Sequence, residues 1–202
     1  MHHNDHVKTL DQYLEDAAQA HGHICAGQVL GVRLAMAGIQ KLGIEDPQGK
    51  DRKRLVTFVE IDRCATDAVA VVTGCRLGKR ALKFRDWGKV AATFVDVTSG
   101  KAVRVAAKES SKTLAKTMHP EISNKNAQQM LAYREMRDED LFDMQWVKVE
   151  LGPEEFPGYK GERVVCDQCG EGINFRREVR REGKVLCRAC AGESYYTSAP
   201  LG

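Results

Sequence analysis

The sequence has little of what marks a membrane or exported protein. No stretch of its 202 residues approaches the roughly 18 consecutive apolar residues that a membrane helix needs. The N-terminal segment MHHNDHVKTLDQYLED has acidic and polar residues where a signal peptide has its apolar core. We therefore expect a cytoplasmic protein that does not associate with a membrane.

Charge of one sign is also scarce, because the net charge is only +3 and is not concentrated in one part of the chain. Aromatic residues make up 6% of the sequence, and they do not alternate with the arginines of the C-terminal region. Modules that bind nucleic acid usually have a clear basic face, and those that bind single strands add stacking aromatics. We therefore do not expect a nucleic-acid partner.

The seven cysteines are odd in number, which does not favour a framework of disulfides. Cys166-x2-Cys169 and Cys187-x2-Cys190 are separated by 17 residues, the spacing of two turns that fold around one tetrahedral ion. Four thiolates close the coordination sphere, so the ion has a structural role. We predict that residues 163–195 form a four-cysteine module that contains structural zinc.

The region that precedes this module has the pattern of an α+β domain, which we place at residues 1–155, with a linker at 152–162. Helical periodicity predicts helices at residues 8–20, 26–42, 64–73, 109–118 and 123–137. Runs of β-branched and aromatic residues predict strands at residues 55–61, 90–97, 102–107 and 141–151. The fold class is therefore α+β, with a mixed or antiparallel sheet packed against helices and a small C-terminal zinc ribbon.

A second group of possible metal ligands lies in the segment His21-Gly22-His23-Ile24-Cys25. If the segment is extended, the side chains of His21, His23 and Cys25 project to one side, and if it is helical only His21 and Cys25 share a face. This density of ligands predicts a second metal site. The alternative is a glycine-containing helix entry whose histidines bond to backbone carbonyls.

One further ligand is expected from Cys64, at a junction between a strand and a helix. Cys64 and Cys75 are 11 positions apart, which is roughly 16 Å along a helix, so both cannot bind one ion. A helix N-terminus lowers the pKa of a thiol, which favours Cys64, and Cys75 is then an ordinary buried thiol. If no metal binds, Cys25 or Cys64 acts as a catalytic thiolate with His23 as the base.

The motif His-Gly-His-x-Cys-x-Gly at residues 21–27, together with Cys64-x2-Asp67 and the four-cysteine tail, resembles the FmdE family of formylmethanofuran dehydrogenase components. The resemblance implies an α+β domain that forms a homodimer, with a site at His21, His23, Cys25, Cys64 and Asp67. Family members usually have proline where this chain has Ala26, and often threonine where it has Arg76. The resemblance also implies an accessory role beside a molybdenum- or tungsten-dependent one-carbon oxidoreductase in a larger complex.

The residues leave three functions open. The protein is either such a metal-site protein, which could act on a small molecule of unknown identity, or a zinc-ribbon regulator that binds nucleic acid or a protein partner. A metal carrier would use the same ligands and would differ only in how fast it exchanges the ion. Metal stoichiometry separates the first function from the second.

Overall fold

The computed structural model describes residues 8–197 and 199, and the chain divides into two compact units between Glu150 and Leu151. Among the described residues, no helix is both long and apolar enough to cross a membrane.

The N-terminal unit contains six α-helices and a five-stranded sheet within its described residues. The helices are α1 (Leu10–His21), α2 (Ala26–Lys41), α3 (Cys64–Thr73), α4 (Ser110–Met118), α5 (Lys125–Glu135) and α6 (Asp138–Leu141). The strands are β1 (Leu55–Val59), β2 (Leu82–Phe84), β3 (Ala91–Asp96), β4 (Ala102–Ala107) and β5 (Phe142–Val147). These elements confirm the predicted α+β fold class.

The sheet is mixed, with the strand order β2-β1-β3-β4-β5. Strands β1 and β2 pair in parallel, and every other neighbouring pair is antiparallel, including the hairpin of β3 and β4. Strand β2 was not predicted, because a strand of three residues with Lys83 at its centre is too short to show an alternating pattern. Helix α6, a single helical turn that precedes β5, was not predicted either.

Helix α2 is the central element of the core, and most of its residues are buried. It packs against α1, α3, α5 and strands β3 and β4. A Cβ atom built at Gly38 of α2 would lie 2.2 Å from the ring of Phe94, so the backbone of the helix sits directly on that face of the sheet. Phe94 and its neighbour Thr93 point to opposite faces, because side chains alternate along a strand.

The C-terminal unit contains two small antiparallel hairpins, formed by the pairs β6 (Arg163–Val165) with β7 (Gly172–Asn174) and β8 (Val179–Arg181) with β9 (Lys184–Leu186). Glu182 and Gly183 form the turn of the second hairpin, and both have positive φ. The buried residues of this unit's cluster are Cys166, Ile173 and Leu186. So small a core needs the metal for stability.

Candidate metal centres

The four cysteines of the C-terminal unit converge on one point. Their Sγ atoms all lie within 4.8 Å of one another, and those of Cys169 and Cys187 are 3.9 Å apart. Strands β6 and β9 end immediately before Cys166 and Cys187, so each pair of cysteines follows the end of a strand. The hairpins thus hold four thiolate ligands in the arrangement of a closed, structural zinc site.

Backbone N–H groups stabilise the charged form of this site. The N–H of Cys187 donates to Sγ of Cys166 at 3.2 Å, and the N–H of Cys190 donates to Sγ of Cys187 at 3.4 Å. Hydrogen bonds from the backbone of Cys169 and Cys187 lower the pKa of the Cys166 thiol to about 6. A side-chain hydrogen bond with Cys187 raises the pKa of the Cys190 thiol to about 12, and a bound cation would favour the thiolate instead.

The second centre lies where three helix ends meet in the N-terminal unit. His21 is the last residue of α1, Cys25 is the N-cap of α2 and Cys64 is the first residue of α3. A ring nitrogen of His21 and the two Sγ atoms lie within 4.8 Å of one another, and all three residues are half-buried. The fold therefore brings together three of the four residues predicted for this site.

His23, the fourth residue, is not part of this group. Its ring packs against that of His21, with 4.8 Å between the ring centroids, and the residue is exposed. Oδ2 of Asp67 lies 2.8 Å from Nδ1 of His21. Asp67 therefore contacts a member of the group without belonging to it.

Two glycines allow the cysteines at the starts of α2 and α3 to approach each other. A Cβ atom at Gly27 would lie 3.1 Å from Cβ of Cys64 and 3.7 Å from Sγ of Cys25. One turn later, a Cβ atom at Gly31 would lie 2.5 Å from the carbonyl oxygen of Ala65. The last glycine of the motif at residues 21–27 is thus explained by the close packing of the two helices.

Two amide side chains that were not predicted from the sequence support the second centre. Gln28 is fully buried and its Nε2 donates to the carbonyl oxygen of Cys64 at 2.6 Å. Asn126, in α5, accepts a hydrogen bond from the N–H of Ala26 at 2.9 Å. Both residues fix backbone atoms next to a ligand, and only the tertiary structure identifies them, because Asn126 is 100 residues away in sequence.

The pKa of the Cys64 thiol differs from the prediction. Burial raises it above the usual value, and the neighbouring sulfur of Cys25 raises it further. The prediction of a lowered pKa was wrong because it considered the helix N-terminus alone and not a second thiol beside it. Cys75 is buried, as predicted, and its Sγ accepts a hydrogen bond from Oγ1 of Thr57 at 3.5 Å.

The fold and its four-cysteine cluster define a metal-binding protein with an α+β unit followed by a four-cysteine zinc finger. Residues 20–143 match the family described as "FmdE, Molybdenum formylmethanofuran dehydrogenase operon", and the chain belongs to this family. Residues 159–196 match the prokaryotic dksA/traR C4-type zinc finger. The family predicted from the sequence is therefore confirmed.

Two known proteins are similar along almost the whole chain. A protein from Archaeoglobus fulgidus, named "Probable S-adenosyl-L-methionine-binding protein", is 33% identical over 215 aligned positions that cover 96% of this chain. The match covers only 56% of that relative's length. A crystal structure of a tungsten formylmethanofuran dehydrogenase FmdE-like protein from Syntrophus aciditrophicus has a TM-score of 0.61 and 22% identity, covering 94% of this chain and 96% of that chain.

Proposed function

We propose that the N-terminal unit binds one transition-metal ion through His21, Cys25 and Cys64. We propose further that the protein is an accessory component of a molybdenum- or tungsten-dependent one-carbon oxidoreductase. The observation that carries the metal site is the convergence of these three ligand atoms within 4.8 Å from three separate helix ends. Such a juxtaposition requires the glycine contacts between α2 and α3 and is therefore built into the packing.

The donor atoms suit an ion of the zinc class. Zinc–nitrogen and zinc–sulfur bonds of about 2.0 to 2.3 Å place tetrahedral ligands roughly 3.3 to 3.8 Å apart. The three atoms are within 4.8 Å of one another, so small side-chain movements complete the geometry. One nitrogen and two sulfurs leave the fourth position of a tetrahedral ion open, unlike the closed four-cysteine site.

Asp67 orients the histidine in this proposal. When Nδ1 of His21 carries its proton and donates to Asp67, Nε2 keeps the lone pair that a metal needs. Gln28 and Asn126 hold the backbone beside the two cysteines. A metal bound here would polarise an oxygen ligand at the open position.

Metal content per chain tests the proposal directly. We expect two metal ions per chain in the wild type, one in a Cys187→Ser/Cys190→Ser variant and one in a Cys25→Ser/Cys64→Ser variant, measured by inductively coupled plasma mass spectrometry. Cys75→Ser is the matched control for loss of a buried thiol and should retain both ions.

The histidines near the N-terminus need their own control. His2, His3 and His6 lie outside the described residues and are themselves metal ligands by type, so the same counts are made with all three replaced by alanine. One ion in the wild type, lost with Cys187 and Cys190, would contradict the second site and favour thiol chemistry at Cys25 and Cys64.

The accessory role is supported by the family's description, which names a formylmethanofuran dehydrogenase operon. A pull-down with the purified oxidoreductase from the same cell tests it, and a stable complex is the expected result. We also propose a homodimer, which light scattering measures as twice the chain mass. Failure to bind the oxidoreductase would contradict the accessory role and would not affect the proposal of the metal site.

A second candidate function is binding of S-adenosyl-L-methionine, favoured by the name of the Archaeoglobus fulgidus relative. Because this chain matches about half of that relative, the ligand site can lie in either half. Calorimetric titration of the chain with S-adenosyl-L-methionine distinguishes these two locations, and S-adenosyl-homocysteine is the control with an uncharged sulfur. Saturable heat would place the ligand site in the half of the relative that this chain matches. No saturable heat would place it in the half that this chain does not match.

A further inference from the structure

The sheet face opposite the helices forms a cavity of about 490 Å³. Phe58, Thr93, Arg104 and Gln145 are consecutive partners across four strands, so their side chains form one row on this face. The cavity is lined by Phe58, Glu60, Arg85, Trp87, Lys89, Thr93, Arg104, Gln145, Val147, Lys148 and Val149. None of these residues belongs to either candidate metal centre.

A buried ion pair forms part of the cavity lining. Glu60 is 3% exposed, and its two carboxylate oxygens accept hydrogen bonds of 2.7 Å from Nε and Nη2 of Arg104. These bonds raise the pKa of the Arg104 guanidinium, which stays charged. They use two of the five N–H donors of an arginine, so Arg104 retains donors for an anion.

Four cationic and two aromatic side chains line the cavity. The cations are Arg85, Lys89, Arg104 and Lys148, and Glu60 is the one carboxylate among the lining residues. Glu60 pairs with Arg104, and Nζ of Lys148 donates to Oε1 of Glu150 at 3.0 Å, so two of the four cations already have a carboxylate partner. The guanidinium of Arg85 lies 5.3 Å from the centre of the Phe58 ring.

Lys89 contributes a second contact of this kind, since its Nζ lies 5.9 Å from the centre of the Trp87 ring. Trp87 is 62% exposed, so one face of a large aromatic side chain is open to a ligand. Cations concentrated in a concave site attract anions, and an exposed aromatic face stacks with flat rings.

We propose that this cavity binds a planar heteroaromatic anion of mononucleotide size. The volume lies within the range of small-molecule sites, about 300 to 1,000 Å³. Arg104 and Lys89 contact the anionic group, and Trp87 stacks against the ring. This site is independent of the proposed metal function, because none of the residues that line the cavity is a proposed metal ligand.

Calorimetric titration with adenosine 5′-monophosphate tests the proposal on the full chain. We expect saturable binding whose affinity falls as the salt concentration is raised. Adenosine, which lacks the anionic group, and inorganic phosphate, which lacks the ring, should each bind at least about tenfold more weakly. Trp87→Ala should weaken binding by roughly tenfold or more, the loss of one stacking partner. Lys89→Gln should weaken binding of the monophosphate without changing that of adenosine.

Trp146→Ala is the matched control. Trp146 is 56% exposed and is paired with Val103, so it lies on the other face of the sheet. Its replacement should leave the affinity unchanged. Circular dichroism confirms that each variant is folded.

Three results would overturn the proposal. The first is no saturable heat with the monophosphate at millimolar concentration, and the second is equal affinity of wild type and Trp87→Ala. The third is a Trp87→Ala variant whose mass by light scattering falls below that of the wild type, which would identify this face as a contact between two copies of the chain.

Discussion

Nδ1 of His21 lies 2.8 Å from Oδ2 of Asp67, and this contact joins the end of α1 to the first turn of α3 beside the two cysteines. The two residues are 46 positions apart in sequence. A carboxylate in this position fixes both the tautomer and the ring orientation of a histidine ligand. The contact therefore links the packing of the helices to the chemistry of the second centre.

Replacing Asp67 with asparagine should lower the affinity of the second centre for its metal ion by about 10- to 100-fold, the usual effect of losing such a hydrogen-bond partner of a histidine ligand. An amide oxygen still accepts the hydrogen bond, but it no longer supports the positive charge that develops on a metal-bound ring. Competition with a chromophoric chelator measures the affinity. Asp62→Asn, an exposed carboxylate five positions earlier in the chain, is the control. Equal affinities for both variants would remove Asp67 from the site.

Replacing Gly31 with alanine should lower the free energy of unfolding by about 1 to 3 kcal/mol. The added Cβ would lie 2.5 Å from the carbonyl oxygen of Ala65, so α2 and α3 must move apart. Gly78→Ala is the control, since an added Cβ there meets nothing within 4 Å. Urea denaturation measures both. An unchanged midpoint for Gly31→Ala would show that the helices separate at little cost.

Acid should destabilise the N-terminal unit partly through Asp96. Hydrogen bonds from Arg54 lower the pKa of this buried carboxyl to about 2, from an ordinary value of 3.8. A lowered folded-state pKa adds stability above the unfolded value, and that stability is lost as the pH falls from about 4 to about 2.

The Asp96→Asn variant should therefore lose about 2 kcal/mol at neutral pH and show a smaller fall in unfolding free energy between pH 5 and pH 2. Glu45→Gln, which removes an exposed partner of Lys50, is the control and should follow the wild type. Parallel curves for wild type and Asp96→Asn would contradict the assignment.

Removing zinc should unfold the C-terminal unit and leave the N-terminal unit folded. The cluster of buried residues in the C-terminal unit is too small to hold the two hairpins without an ion. Hydrogen–deuterium exchange after chelation should show loss of protection in residues 163–195 alone. Cys187→Ser/Cys190→Ser should exchange like the chelated protein without any treatment. Retained protection in either sample would assign the stability of this unit to something other than the metal.

Much of the fold could be predicted because its longer elements have clear local patterns. The limits predicted for α3 and β4 agree with the structure, and the helix predicted at residues 26–42 is α2 (Ala26–Lys41). Strand β2 was missed because its parallel pairing with β1 depends on a connection through α3. Three residues contain no periodic signal, so only the assembled sheet shows that this segment is a strand.

The two candidate metal sites also differ in how far they could be predicted from the sequence. Cys166, Cys169, Cys187 and Cys190 could be assigned to one site from their spacing, since two short turns bring each pair together locally. Cys64 could be proposed for the second site only from its position at a junction between a strand and a helix and from the family resemblance, because distance along a helix excludes a site with both Cys64 and Cys75 but does not choose between them. No sequence signal indicated that His23 would lie outside the group of three ligands.

The sequence by itself determined the family, the α+β class and the zinc finger, because these depend on local periodicity and on short ligand spacings. The tertiary structure decided which residues form the second centre, because His21, Cys25 and Cys64 meet only when three helix ends converge. It also decided the roles of Gly27, Gly31 and Gln28, and it assembled the cationic cavity from a row of residues across four strands. Contacts between residues far apart in the chain depend on packing, and spacing along a single sequence does not contain them.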